Sequence, residues 1–269
     1  SDVITQFRGR GDEIHVYPLS FSEYVPAYQG SVDEAWDDYL IYGGMPLILT
    51  MAEPEDKAAY LNSLFQKVYI SDIVERHDVR NKVELDELVD ILASAIGSYT
   101  NQSKLVRTFK SVKGKTISDK TIKNYIDYLI DSFLISKAVR YDIKGKKYIG
   151  SPSKYYFEDV GLRNARLGFR QVEQTHLMEN IIYNQLRIRG YHVDVGVVEY
   201  YGVNGEGKRG KKQLEVDFVA TKGSEKHYIQ SAFTLPTADK VDQEQRSLLH
   251  IPDSFRKIVI VGDNIKVRR

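Results

Sequence analysis

The sequence predicts an α/β protein of more than one domain, and three observations lead there. Between about residues 58 and 130, apolar residues recur at the three-to-four spacing of helices buried along one stripe. From Tyr191 to Val261 they gather instead into four short runs of strand length. One helical pattern, Asp239 to Leu249, separates the last two runs, as an α/β core of mixed strands requires. With 269 residues and 42% hydrophobic content, the chain can fill more than one core.

The elements follow in order. Glu13 to Tyr17 reads as a strand, and Ser20 with Glu23 has capping-box spacing for a short helix after Pro18. An acidic helix from about Val32 to Ile41 ends at Gly43-Gly44-Met45-Pro46, which frees and then fixes the backbone. Helix resumes near Leu47, and Ala58 to Val74 buries Leu61, Leu64, Phe65, Val68, Tyr69 and Ile73 on one stripe. Leu85, Leu88, Val89, Leu92 and Ile96 mark the next helix, and Lys104 to Phe109 another. Ser118 is a good N-cap for a helix to Ile130 that buries Ile122, Tyr125, Ile126, Leu129 and Ile130. Ile135 to Tyr141 and Tyr148 to Ile149 read as strands split by Lys144-Gly-Lys-Lys147. Helix, helix, capped helix, hairpin is the order of a winged helix. In that arrangement Lys120, Thr121, Lys123 and Asn124 would face a nucleic-acid groove, and Lys144, Lys146 and Lys147 would reach phosphates. A solvated surface or a protein-docking role stays open for the same residues.

After Gln171 the pattern changes to a helix, Leu177 to Ile188, and strands Tyr191 to Tyr201, Gln213 to Ala220, His227 to Phe233 and Ile258 to Val261. Gly202 to Lys212 is a glycine-rich basic loop that fits no phosphate-binding frame. Glu179, Asp217 and Gln230 have the order and element types of a Mg²⁺-dependent nuclease constellation of the PD-(D/E)XK kind: acid on a helix, acid on a strand, amide on the next strand. Glu215 shares a strand face with Asp217. The lysine that such a site uses to offset phosphate charge is missing, because Gln230-Ser-Ala232 ends in a methyl group; Lys222 or Lys240 would have to swing in. Two readings stay open, a Mg²⁺ site formed by Glu179 and Asp217, and an inert remnant.

Charge is distributed unevenly behind a net of +1. Residues 31–90 hold about 14 acidic against about 5 basic side chains, and 104–154 about 13 basic against about 4 acidic, so one region repels nucleic acid and the other attracts it. No cysteine is present, which excludes disulfides and thiolate metal sites and fits a reducing, cytoplasmic location. The histidines lack the i, i+4 spacing of a helical zinc site. Apolar runs are strand-sized, so no membrane span is expected. No P-loop occurs, and this chain by itself is not expected to bind ATP.

Phe7-Arg-Gly-Arg10, Val16-Tyr-Pro-Leu-Ser-Phe-Ser-Glu-Tyr24, Tyr39-Leu-Ile-Tyr-Gly-Gly-Met-Pro46, Lys154-Tyr-Tyr-Phe-Glu-Asp-Val-Gly-Leu-Arg-Asn164, Leu177-Met-Glu-Asn180 and Glu215-Val-Asp-Phe-Val219 together resemble prokaryotic AAA-type ATPases with a C-terminal domain of unknown function. The resemblance covers essentially the whole chain. It implies that a P-loop ATPase part, with its ATP and Mg²⁺, precedes residues 1–28, the tail of that ATPase core. A helical, lid-like segment over 29–83, a winged helix over 84–165 and a restriction-endonuclease-like domain over 166–269 would follow. It also implies that Arg8 or Arg10 stands where such ATPases present an arginine to a neighbouring nucleotide in trans, with homo-oligomers formed through the ATPase part. Three functions are compared on this basis: a DNA- or partner-engaging portion of an ATPase, a metal-dependent nuclease, and a protein-interaction platform.

Overall fold

A computed structural model of the chain describes residues 14–114, 116–203 and 209–262. Arg8, Arg10, the Phe7–Arg10 motif and residues 204–208 of the glycine-rich loop lie outside them. The described part is mixed α/β, with helices first and a six-stranded sheet after them.

Ile14 to Tyr17 does not form the expected strand, because no neighbouring edge pairs with it among the described residues. Ile14 and Val16 stand 84% and 86% exposed, while the His15 ring packs on Phe133 and the Arg187 guanidinium lies over Tyr17. The short helix α1 (Phe21–Tyr24) carries the expected capping box, and α2 (Val32–Tyr42) carries a second one formed by Ser31 and Glu34. A 3₁₀ turn over Pro46–Thr50 stands where helix was expected to resume. Proline then opens α3 (Pro54–Leu64), and a π-helical turn over Phe65–Ile70 joins it to α4 (Ser71–Arg76). Helices α5 (Lys82–Ser94), α6 (Gln102–Lys113) and α7 (Asp119–Asp131) are capped by Asn81, Asn101 and Ser118. Their apolar stripes pack with α1 to α4 into one large core.

Strands β1 (Ile135–Asp142) and β2 (Lys147–Phe157) form an antiparallel hairpin far longer than the sequence suggested. Helices α8 (Val160–Arg166) and α9 (Gln174–Ile188) follow, then β3 (His192–Val203), β4 (Arg209–Lys222), β5 (Glu225–Ala232), α10 (Ala238–Leu249) and β6 (Arg256–Val261). The sheet order is β2-β1-β3-β4-β5-β6. Strand β1 runs parallel to β3 and β5 parallel to β6, while β3/β4 and β4/β5 are antiparallel. The hairpin is therefore the end of the main sheet, and the sheet crosses the boundary expected near residue 165.

Helices α9 and α10 cover opposite sheet faces. Met178, Ile182 and Tyr183 of α9 pack on Val193, Val195, Phe218 and Ile229. Leu248 of α10 packs on Val198, Val216, Val219 and Tyr228. Val216 and Val219 share a face although three residues apart, which a bulge explains: Gly196 pairs with Val216 but Asp194 with Val219.

A buried polar junction ties α2 to α8. The Asp159 carboxylate accepts from the backbone N–H of Leu162, capping α8, and from that of Gly44 at 2.7 Å. Asn164 donates to the carbonyls of Leu40 and Ile41, which end α2 without helical partners. The approach is close enough that a Cβ on Gly161 would lie 1.9 Å from the Tyr42 carbonyl oxygen. Burial pushes the Asp159 carboxyl up to about 6.

Candidate functional site: a lysine held among carboxylates

Strand alternation sends Lys154 and Tyr156 of β2 to one face, under α9. The Lys154 ammonium lies 2.9 Å from Glu179 Oε1 of α9 and 2.5 Å from Glu215 Oε1 of β4, with its side chain 4% exposed. The Tyr156 hydroxyl donates to the same Glu179 oxygen at 2.6 Å. Gly97 approaches Glu179 so closely that a Cβ there would sit 3.1 Å from Oε2. Beside them, Asp217 Oδ2 accepts the backbone N–H of Ser231 at 2.7 Å. Strand pairing between β4 and β5 stops at Phe218 and Ile229, so the carboxylate takes a donor that the ladder leaves free.

The electrostatics follow from this placement. Desolvation is the largest penalty on the Lys154 charge, yet Glu179, Glu215 and Asp217 together more than offset it and hold the ammonium well above the usual lysine range. Asp217 goes the other way, pushed up to about 8 by burial first and by the Glu179 charge second. At neutral pH the ammonium thus keeps its charge beside an aspartic acid held in its neutral form. Tyr99 covers the group, its ring 5.5 Å from the Lys154 ammonium and 5.1 Å from the Arg140 guanidinium. Burial and the neighbouring Glu215 push its phenol up.

The structure brings Glu179, Glu215 and Asp217 together, but not Gln230. That side chain points to the opposite face, where Nε2 donates to Glu244 and Oε1 accepts from Ser247, both on α10. The reason is the period of two along β5: Ile229 packs on the α9 side and Tyr228 on the α10 side, so Gln230 follows Tyr228 to α10. Neither lysine considered as a substitute is present. Lys222 donates to the Arg189 carbonyl, and Lys240 pairs with Glu244 at 2.5 Å. Lys154, which does occupy the site, is missed by the sequence reading because it comes from the hairpin rather than from the strand after Asp217. Among the described residues no three His, Asp or Glu side chains are placed to share a metal ion.

The residues expected to face nucleic acid divide by their partners. Lys120, Lys146 and Lys147 are exposed and Asn124 is half-buried. Thr121 Oγ1 lies 2.8 Å from the Ser118 cap hydroxyl, Lys123 pairs with Asp127 at 2.6 Å, and Lys144 donates to the Glu199 carbonyl at 2.6 Å. No helix among the described residues is long and apolar enough to cross a membrane.

Fold and site define a mixed α/β protein with a buried lysine–carboxylate cluster. The family model described as "Domain of unknown function (DUF8612)" matches residues 33–173, and the chain belongs to that family. It is 35% identical over 266 residues to an "Uncharacterized protein" of Haemophilus influenzae, covering 97% of this chain and 62% of that protein. It is 26% identical to "Uncharacterized protein MJ1544" of Methanocaldococcus jannaschii, covering 99% of this chain and 59% of that one. The chain thus spans about three fifths of the length of these curated relatives. The crystal structure of protein VC1899 from Vibrio cholerae matches at 13% identity over 97% of this chain and 57% of that chain, with a TM-score of 0.26.

Proposed function

We propose that this chain is the C-terminal, P-loop-lacking portion of an AAA-type ATPase and that it engages DNA without cutting it. The observation that carries the non-cutting part is Lys154. Its ammonium bridges Glu179 and Glu215 in the space between the acids, which is where a divalent cation would have to enter. Asp217 is kept neutral beside them. Of the two acids that a metal would use, Glu179 is thereby occupied by an internal cation and Asp217 is held in its neutral form.

The order of elements supports a winged helix over α5 to β2. Thr100, between α5 and α6, pairs with Ser153 on the returning strand of the hairpin, which is where the first short strand of such a unit lies. The succession α9-β3-β4-β5-α10-β6, with its two helices on opposite faces, supports a nuclease-like core beside it. The greater length of the relatives leaves room for an ATPase part, where ATP and Mg²⁺ would act.

The test is fluorescence anisotropy with duplex and single-stranded DNA across a salt series containing Mg²⁺ or Mn²⁺, followed by gel analysis of the same samples. The expected result is salt-dependent binding with intact DNA. Cleavage that Asp217→Asn abolishes would replace this reading with a metal-dependent nuclease. Absence of binding even at low salt would replace it with a protein-docking platform.

A further inference from the structure

We propose that the outward side of α6, rather than α7, holds the phosphate backbone of duplex DNA; the inference rests on the DNA-engaging reading above. Among three helices followed by a hairpin, the capped third helix is the one expected to meet a groove. Its charges argue against it. Asp119, Asp127 and Asp131 outnumber Lys120 and Lys123 on α7, and Lys123 is neutralised by Asp127 at 2.6 Å.

Helix α6 has the opposite make-up. Gln102-Ser-Lys-Leu-Val-Arg-Thr-Phe-Lys-Ser-Val-Lys113 contains four cations and no acid. Leu105 and Phe109 are buried, while Ser103, Lys104, Arg107, Lys110 and Ser111 are exposed. Among the described residues Arg107 and Lys110 make no ion pair, so their charges are not cancelled locally. Lys104 donates to the Tyr99 carbonyl at 2.8 Å, which fixes its stem and leaves the ammonium charge whole. Cations interleaved with hydroxyls, free of carboxylates, suit phosphate oxygens, and contacts to phosphate position DNA without selecting a sequence. The helix starts directly after Thr100, whose backbone pairs with Ser153 next to Lys154, so DNA held there would lie beside the closed carboxylate cluster.

The experiment compares Lys104→Gln/Arg107→Gln/Lys110→Gln with Lys120→Gln/Lys123→Gln/Lys146→Gln/Lys147→Gln, each titrated against labelled duplex DNA over a salt series. Three lost phosphate contacts at about 0.9 each should lower the slope of log affinity against log salt by about 2.7 in the first variant and leave the second near wild type. A first variant with unchanged slope beside a second that loses it would overturn the α6 assignment while keeping the DNA reading. Two variants with the wild-type slope would overturn the α6 assignment alone, whereas wild type that does not bind even at low salt would overturn the DNA reading. Circular dichroism checks the fold. Should the triple variant unfold, Arg107→Gln alone is expected to lower the slope by about 0.9, and an unchanged slope there overturns the assignment.

Discussion

Asn180 meets Phe157 as a neighbouring strand would, its Oδ1 accepting the Phe157 N–H at 2.9 Å and its Nδ2 donating to the Phe157 carbonyl at 2.7 Å. Strand β2 has β1 on one side only, so at this point a side chain of α9 closes the open edge. Asn184 adds two more donations, to the carbonyls of Phe157 and Glu158. Because Glu179 precedes Asn180 on the helix, the same clamp brings the carboxylate over Lys154 and Tyr156.

Removing that clamp should be costly. Asn180→Ala leaves a buried N–H without its acceptor and weakens the hold on the carbonyl, so a loss of about 2–4 kcal/mol is expected from urea unfolding. A loss below about 0.5 kcal/mol would show that the edge is held by other contacts.

Lys154→Met exchanges the internal cation for an apolar chain of similar reach and leaves the buried Glu179 and the half-buried Glu215 without their shared cation. A destabilisation of about 3–5 kcal/mol is expected, reduced when Glu179→Gln is added. Additive losses in the double variant would mean that the pair is not energetically coupled.

The pH dependence has a defined sign. An acid whose folded pKa lies above its unfolded value favours the fold most when neutral, so the contribution of Asp217 is full below about 3.8 and declines as pH rises towards about 8. Thermal midpoints followed from pH 5 to pH 9, the range of the measurement being about four units, should therefore fall more in wild type than in Asp217→Asn. Asp159, pushed up to about 6, adds a similar decline that ends at lower pH. Parallel curves for wild type and Asp217→Asn would contradict the neutral form of that carboxyl.

Gly161→Ala tests the junction between α2 and α8. The new Cβ would fall 1.9 Å from the Tyr42 carbonyl, so the helices must separate, and a loss of about 1–3 kcal/mol or more is expected by chemical denaturation. An alanine variant as stable as wild type would show that α8 can shift freely.

Much of this was legible in the sequence because local rules suffice for it. Capping residues and apolar stripes placed α2, α5 and α7 closely, and the four late strand runs appear as β3 to β6. The acids Glu179 and Asp217 were legible as neighbours from their element types. Other features depend on pairing, which a linear reading does not carry. Ile14–Tyr17 has a strand-like composition but pairs with no strand among the described residues. Gln230 was placed by motif order, whereas the β5 alternation turned it to α10. Lys154 was overlooked because its partners lie 25 and 61 residues away in the chain, and only the folding of β2 under α9 brings them into reach.

The parallel pairing of β1 with β3, at Arg140 with Val195 through Asp142 with Val197, has a mechanical consequence. Cutting the chain after α8 would not release two independent modules, since each piece would present a raw strand edge open to aggregation. Any displacement of the α5–α7 helices that moves the hairpin must instead be carried by the whole sheet, so these three helices and the α9–α10 core are geared to turn together.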